Sequence, residues 1–442
     1  MLVVRPMSVR GYIAAIRFGY GLRLGEAPPA DPEAWLVGQI DNPAPPPQGL
    51  TVAEGFELAL ADRAARRANM EAPRAPNGRA ALAEAIRADM IAQAHRALTT
   101  KEGYRERLVD FWMNHFTVSR RVGAIQPIIG AFQRDAIRPH VTGRFADMVV
   151  AVARHPAMLV YLDNQNSTGP ASPVGERRRR GLNENLAREV LELHTVSPSG
   201  GYTQRDVQEF ARLLTGWSVE SRVPPVGFAF RPATHDPGEK VILGRRFGDG
   251  EAEGEAALRF LAEHPATWRH LATKLARHFV ADDPPAEAVR ALEAVLRDTR
   301  GDLGAVARAL VRLPQAWDRP LAKMKAPMDY VITAARAIGL PEERADVILT
   351  GLAALDQPLW TAPQPNGWPD GLAHWASPEG LMRRVDWSYN LAGRVPRADP
   401  RAVAAAALGP LGRAETATAV GRAGSVRDAL TLLLGSPEFM QR

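Results

Sequence analysis

The segment GLNENLAREVLELHTVSPSGGYTQRDVQEFARLLTGW, residues 181–217, is typical of two amphipathic helices joined by a glycine-containing loop. At about 3.6 residues per turn, the first helix has an apolar stripe. Its members are Leu182, Leu186, Val190 and Leu193. Glu189 lies within this stripe, where a carboxylate is unexpected. The second helix begins at Thr203, and Asp206 three residues later predicts a capping box. The segment therefore predicts a helical hairpin with one carboxylate directed towards its core.

Composition extends this helical pattern to the whole chain. The 442 residues are 46% hydrophobic, enough for a large core, and valine-rich alternating runs are few. We expect a mainly α-helical protein: a large helical-bundle-like domain with a small antiparallel β-hairpin insertion at about residues 217–247. We divide the chain into residues 1–50, N-terminal helices with a proline-rich strap, and residues 51–442, a single large helical domain. A Trp/Pro-rich loop at about 356–376 interrupts its helices.

Charge and cysteine content argue against several classes of protein. The net charge of +6 comes from 55 basic and 49 acidic residues that are interspersed, so a nucleic-acid partner is not expected. The absence of cysteine excludes disulfides, thiolate zinc sites and cysteine nucleophiles. No window approaches the roughly 18–20 apolar residues that span a bilayer. Arginines interrupt the apolar N-terminal segment, which is therefore a poor signal peptide, and we expect a cytoplasmic protein.

A second helix also directs a titratable side chain towards its apolar face. In DFWMNHF, residues 110–116, His115 falls in the middle of the apolar stripe. Burying an imidazole or a carboxylate without a partner costs several kcal/mol, so such groups are normally paired. One interpretation is a structural network in which four side chains satisfy one another: His115, Asn185, Arg188 and Glu189. The other is a functional site with Glu189 and Glu192 as carboxylates and His115 as a base or ligand.

A more specific version of the second interpretation is that these side chains bind a metal ion. Glu192 and His194 are two residues apart and so face different directions on a helix, which leaves His194 exposed by this prediction. The Glu-x-x-His spacing of helical metal sites does not occur here. We predict no metal site, and the residues identify no cofactor.

Other motifs have both a structural and a functional interpretation. HDPGEK, residues 235–240, places His235, Asp236 and Lys240 around a turn, either as ordinary turn chemistry or as binding groups. The arginine run at 175–180 is either a solvated loop or a contact for an acidic partner. Three tryptophans form an aromatic platform for a sugar or a partner, or pack their loop onto the helices. They are Trp360, Trp368 and Trp375.

Several segments in one order resemble an uncharacterised bacterial family, catalogued as domain of unknown function eighteen hundred. They are the opening segment, DFWMNHF, HDPGEKVILG, HPATWRHLATKLARHFV, PNGWPD and GSPEFMQR, and the resemblance covers residues from about 10 to 442. It implies a helical fold and no established activity. The family pattern N-E-N-x-A-R-E-x-x-E-L-H corresponds here to Asn183, Glu184, Asn185, Arg188, Glu189, Glu192 and His194.

The resemblance also bears on partners and metals. Members are often encoded beside a twin-arginine-exported, sulfatase- or phosphatase-like protein, which implies a partner and, as an alternative location, the periplasm. Members usually have a histidine where Met113 stands, and a thioether is a poor ligand for a hard divalent ion.

Two functions follow as hypotheses. The first is a hydrolase-like or carbohydrate-modifying enzyme, in which one carboxyl is protonated by burial and another stays ionised. Its catalytic candidates are Glu189, Glu192, His115 and Asp206, and its binding candidates are Asn185, Arg188, His235, Asp236, Lys240 and Trp217. The second is a non-catalytic partner or maturation protein for the neighbour-encoded protein, with the arginine and tryptophan loops as contacts.

Overall fold

The computed structural model describes residues 9–41, 44–71, 78–178 and 181–442, most of which are helical. The first half contains α1 Val9–Ile13, α2 Pro32–Asp41, α3 Val52–Glu71, α4 Gly78–Thr99, α5 Gly103–His115, α6 Ile129–Phe132, α7 Phe145–Arg154, α8 Pro156–Tyr161, α9 Pro173–Arg178, α10 Asn185–Glu189 and α11 Gln204–Leu213. The second half contains α12 Glu251–Ala262, α13 Pro265–Phe279, α14 Ala286–Asp298, α15 Leu303–Arg312, α16 Pro327–Ala337, α17 Asp346–Ala354, α18 Leu372–Trp375, α19 Pro378–Ala392, α20 Pro400–Ala407, α21 Ala414–Arg422 and α22 Val426–Leu434. The prediction of a mainly α-helical protein is confirmed.

The β structure lies at the predicted position but forms two hairpins. Strand β1 (Trp217–Glu220) pairs antiparallel with β2 (Gly227–Phe230), and β3 (Lys240–Ile242) pairs antiparallel with β4 (Arg245–Phe247). The second hairpin turns at Leu243 and Gly244, both with positive φ, 47° and 77°. Two-residue turns of this conformation favour Asn-Gly. A leucine at the first position gives no such signal, so the sequence did not predict a separate hairpin.

One hydrophobic core connects the helices from the N-terminal segment to the end of the chain. Phe18 and Leu36, both fully buried, bring the first fifty residues into it. The Phe18 ring lies 5.4 Å from Tyr104, 6.1 Å from Phe279 and 5.4 Å from Trp317, measured between ring centroids. The division of the chain at residue 50 stays a prediction. Within the described residues, no helix combines the length and apolarity needed to cross a bilayer.

The helix of the opening segment changes its winding halfway. After α10, a π-helical segment spans Val190–His194. In a π-helix each hydrogen bond reaches one residue further than in an α-helix, so the turn is wider and side chains leave the α-helical register. His194, predicted to be exposed, is therefore buried, with 1% of its surface accessible. This correction places a histidine next to His115.

The start of the second helix is as predicted. Thr203 and Asp206 form a complete capping box: Thr203 N donates to Asp206 Oδ2 at 2.8 Å, and Asp206 N donates to Thr203 Oγ1 at 3.3 Å. The second carboxylate oxygen of Asp206 accepts from Leu243 N at 2.7 Å, which attaches the helix to the β3–β4 turn.

Candidate functional site

A cavity of about 290 Å³ lies between α5, α13 and the Trp/Pro-rich loop. One part of its wall is apolar, formed by Phe111, Met113, Val118, Met328, Leu359 and Trp360. The other part carries charged and titratable groups, among them Arg107, Asp110, His115, Lys274, His278 and Asp370. Since residues four apart share a helix face, Asp110 and Asn114 face the cavity together from α5, as do Lys274 and His278 from α13.

Asn114 holds the Trp/Pro-rich loop over this cavity. Its Nδ2 donates to Trp368 O at 2.9 Å, and its Oδ1 accepts from Trp368 N at 2.7 Å. The approach is close: Gly367 has φ +80°, and a Cβ there would lie 2.4 Å from Asn114 O. Trp360 and Trp375 are buried, as the packing interpretation expects, and only Trp360 and Trp368 of the three tryptophans line the cavity.

The two nitrogens of His115 have different partners. Nε2 lies 3.1 Å from the backbone oxygen of His194. A carbonyl oxygen can only accept, so Nε2 carries the proton and Nδ1 has a lone pair. Nδ1 lies 2.9 Å from Lys274 Nζ, which donates to it. Burial, and next to it the charge of Lys274, lower the pKa of His115 well below its usual value, so the ring is neutral.

Lys274 has no carboxylate within 4 Å in the part of the chain that the structure describes. Burial lowers its pKa to about 8, and the charge of Asp370 opposes this effect. With this pKa, roughly a tenth of Lys274 is an uncharged amine at pH 7, far more than for an ordinary lysine. Lys274 and His115 thus form a contacting pair in which the pKa of both groups is lowered.

A histidine–carboxylate pair occupies the same wall. His278 Nδ1 lies 3.1 Å from both carboxylate oxygens of Asp370. Burial opposes ionisation of Asp370, but His278, Lys323 and Arg442 lower its pKa to about 2. Burial also lowers the pKa of His278, although Asp370 acts against it. The ring is thus neutral, and its Nε2 has no hydrogen-bond partner among the described residues.

Asp110 is a carboxyl group with a pKa near neutral pH. Burial raises its pKa to about 7 although the hydroxyl of Tyr20 donates to it, and the charges of Glu106 and Asp329 add to the rise. A group that is half protonated near pH 7 can donate a proton as readily as it accepts one. Asp110 therefore differs from Asp370, which stays ionised.

Below these groups lies a buried ionic triad. Asp329 accepts from Arg107 Nη1 at 2.6 Å and lies 3.0 Å from Arg442 Nε. Arg107 also donates to Gly19 O, which connects the triad to the N-terminal segment. These pairs fix α5 relative to α16 and to the end of the chain.

The predicted network around Glu189 is wrong in its pairing. Both nitrogens of His115 are occupied by Lys274 and by the His194 carbonyl. Arg188 instead binds Glu184 at 2.7 Å and Gln204 at 2.9 Å. Glu189 is half-buried, and its carboxylate makes no hydrogen bond or ion pair with any described residue. Burial, and then the charge of Glu192, raise its pKa.

Of the four catalytic candidates, only His115 lines the cavity. Glu189, Glu192 and Asp206 are absent from its described walls. Asn185, a binding candidate, is exposed. Their roles stay predictions.

The remaining binding candidates lie around the β hairpins. His235 lies between Thr215 O and Asp249 Oδ1, each at 2.7 Å. Asp236 pairs with Arg212 at 2.7 Å, and Lys240 donates to the backbone oxygen of Asp236. Trp217 is fully buried. These contacts support the interpretation of HDPGEK as turn chemistry. Of the arginine run, Arg177 is exposed, while Arg179, Arg180 and the Arg178 side chain lie outside the described residues.

Sequence reasoning missed Asp110, Lys274, His278 and Asp370. A signal was present, because all four lie in segments that carry the family resemblance: DFWMNHF, HPATWRHLATKLARHFV and PNGWPD. These segments are far apart in the chain and meet at the cavity. Within the described residues, no group of three or more histidine, aspartate or glutamate side chains is arranged to hold a metal.

Fold and cavity together define a helical protein with a cavity lined by titratable groups. Residues 13–441 match the family described as Protein of unknown function (DUF1800), and the chain belongs to that family. No curated protein and no solved structure matches it.

Proposed function

We propose that the chain is an acid–base enzyme of the hydrolase type and that the cavity between α5 and α13 is its active site. The His278–Asp370 pair is the observation that carries this proposal. A neutral histidine oriented by a buried carboxylate, with its second nitrogen unpartnered, is the arrangement of a general base.

Each group has a role that follows from its protonation state. His278 takes a proton from water through Nε2, and Asp370 holds the ring and stabilises the imidazolium that forms. Asp110, with its raised pKa, donates a proton to the leaving group. Such a positioned acid or base contributes roughly 10²- to 10⁴-fold in rate.

The cavity suits a small substrate with both apolar and polar faces. Its volume of about 290 Å³ is at the lower end of the range for ligand sites. Trp368 supplies an aromatic face and Asn366 an amide at the rim. A sugar has this combination of C–H faces and hydroxyls, which keeps carbohydrate modification as the finer form of the proposal.

The test compares turnover of 4-nitrophenyl esters and glycosides by wild type and variants. We expect His278→Gln and Asp370→Asn to lower kcat/KM by about 10²-fold or more. His95→Gln is the matched control, since His95 is exposed and is not one of the residues that line the cavity. Full turnover by His278→Gln, or no turnover of any probe by wild type, would refute the proposal. If the double variant Glu189→Gln/Glu192→Gln lost turnover and the His278 and Asp370 variants did not, the glutamate pair would be the catalytic groups instead.

A partner role is the second candidate, and an exposed apolar surface favours it. Met382 and Tyr389 on α19 are 59% and 43% exposed, and Leu432 on the neighbouring α22 is 46% exposed. The proposed partner is the neighbour-encoded, exported, sulfatase-like protein, with the cytoplasm as the location and the periplasm, reached as a folded passenger of that partner, as the alternative. This role predicts that the two proteins co-purify in a salt-sensitive way. Replacing Arg177 to Arg180 with Ser should weaken the co-purification, and the cavity variants should leave it intact.

A further inference from the structure

Lysine is rare in this chain, and its positions are selective. Of 55 basic residues only five are lysines: Lys101, Lys240, Lys274, Lys323 and Lys325. The other 50 basic residues are arginines. Arginine stays protonated in proteins, whereas a buried lysine can lose its proton.

Lys274 is the lysine that lines the cavity. Lys101 is exposed. Lys240, Lys323 and Lys325 are almost fully buried and donate to backbone oxygens of Asp236, Asp370 and Phe439. Lys274 alone combines a solvent-connected cavity with a hydrogen bond to a neutral base.

The contact with His115 gives that base a fixed direction. The His194 carbonyl holds the proton on Nε2, so Nδ1 presents its lone pair to Lys274 Nζ at 2.9 Å. A nucleophile, a base that accepts its proton and a third group that orients the base form the arrangement that activates nucleophiles in enzymes. Here they are Lys274, His115 and the backbone of His194.

We propose that Lys274 is a nucleophilic amine that forms an imine with an aldehyde bound in the cavity. His115 Nδ1 takes a proton from the ammonium, and the free amine nitrogen attacks the carbonyl carbon, so that a C–N bond forms as the C=O π bond breaks. The His115 imidazolium then returns its proton to the former carbonyl oxygen. A second proton passes from the nitrogen to this oxygen, the C–O bond breaks and water leaves as the C=N bond forms, so the products are a protonated imine and water and no oxidant or reductant is needed. The open-chain form of a small sugar is an aldehyde that fits the cavity size.

This inference goes beyond the proposed hydrolysis and uses other groups of the same cavity. It requires Lys274 and His115 but neither His278 nor Asp370. A failure of one proposal is therefore distinguishable from a failure of the other.

Reductive trapping tests the proposal on the full-length protein. Glyceraldehyde is added with sodium cyanoborohydride at pH 7.5, and the reduced adduct is located by peptide mass spectrometry. We expect Lys274 to be modified at least tenfold faster than Lys101, the exposed internal reference. Lys274→Arg should remove this adduct, and Lys101→Arg should leave it unchanged. Equal labelling of the two lysines, or no labelling at Lys274 in wild type, would overturn the proposal without need of any variant.

The role of His115 has its own readout. We expect His115→Gln to slow labelling of Lys274 about tenfold, and His95→Gln, at an exposed histidine that is not part of the cavity walls, to leave that rate within about twofold. The labelling rate should rise with pH to a midpoint near the Lys274 pKa of about 8, lower than the roughly 10.4 of an ordinary lysine. Burial sets this midpoint first, while Asp370 raises the pKa of Lys274 and Arg277 lowers it. The other titratable groups that interact with Lys274 are His115, His194 and His270, and its charge lowers the pKa of each. A midpoint above 10, or unchanged labelling in His115→Gln, would show that the amine is not activated.

Discussion

Lys274 Nζ and His115 Nδ1 lie 2.9 Å apart. If both side chains were protonated, two positive charges would repel each other at this distance. Burial lowers the pKa of both, and the His194 carbonyl fixes which nitrogen of His115 is protonated. Lys274 is therefore the hydrogen-bond donor and His115 Nδ1 the acceptor in this contact. This contact, and not a pairing with Glu189, explains why α5 directs a histidine towards its core face.

The ionic triad below the cavity should dominate the response to mutation. Asp329→Ala leaves Arg107 and Arg442 buried without their shared carboxylate, and breaking a buried pair costs about 3–5 kcal/mol. We expect a decrease of that size in the free energy of unfolding, measured by urea denaturation at pH 7. Asp318→Asn is the control, since Asp318 is exposed. A change below about 1 kcal/mol in Asp329→Ala would contradict the triad.

Asp110 should make stability fall as pH rises towards neutrality. Its pKa is about 7 in the folded protein and about 3.9 in an unfolded chain. Between these values the folded state holds a proton that the unfolded state releases, so its contribution to the free energy of unfolding decreases with pH and is constant above about 7. We expect Asp110→Asn to remove this component, with its largest gain over wild type at pH 8. An equal difference at pH 4 and pH 8, measured by denaturant unfolding, would refute it.

Glu189 should tolerate loss of its charge. Removing one partner of a buried ion pair costs about 3–5 kcal/mol. The carboxylate has no such partner among the residues that the structure describes, and burial together with Glu192 penalises its charge. Glu189→Gln should change the free energy of unfolding by less than about 1 kcal/mol, with the more favourable value at the higher pH, where the wild-type carboxyl is ionised. A loss of 2 kcal/mol or more would indicate an unrecognised partner.

The capping box should contribute a conventional amount to stability. Thr203 Oγ1 accepts from Asp206 N at 3.3 Å, so Thr203→Ala leaves a backbone donor of α11 without its partner. We expect a loss of about 1 kcal/mol by thermal or urea unfolding, whereas Thr203→Ser, which keeps the hydroxyl, should be nearly neutral. Equal effects of the two substitutions would show that the hydroxyl is not responsible.

Features that depend only on residues close together in the chain could be predicted from the sequence. The periodicity of residues 181–217 and the Thr203–Asp206 pair predicted two helices and the box that begins the second. Inward orientation of His115 was also predictable, because a wheel at about 3.6 residues per turn shows which face is apolar. The same wheel misplaced His194, since a π-helical segment depends on how the helix packs and has no simple sequence signature.

The sequence by itself determined the helical class, the place of the β insertion, the family and the inward orientation of His115. Only the tertiary structure decided which side chains surround that histidine. Lys274 is 159 residues from His115 in the chain, and Asp370 is 92 residues from His278. Helix periodicity specifies which side of a helix faces inward, but not which other helix it meets. That choice depends on the packing of the whole core, so the cavity and the protonation states of its groups follow from the fold.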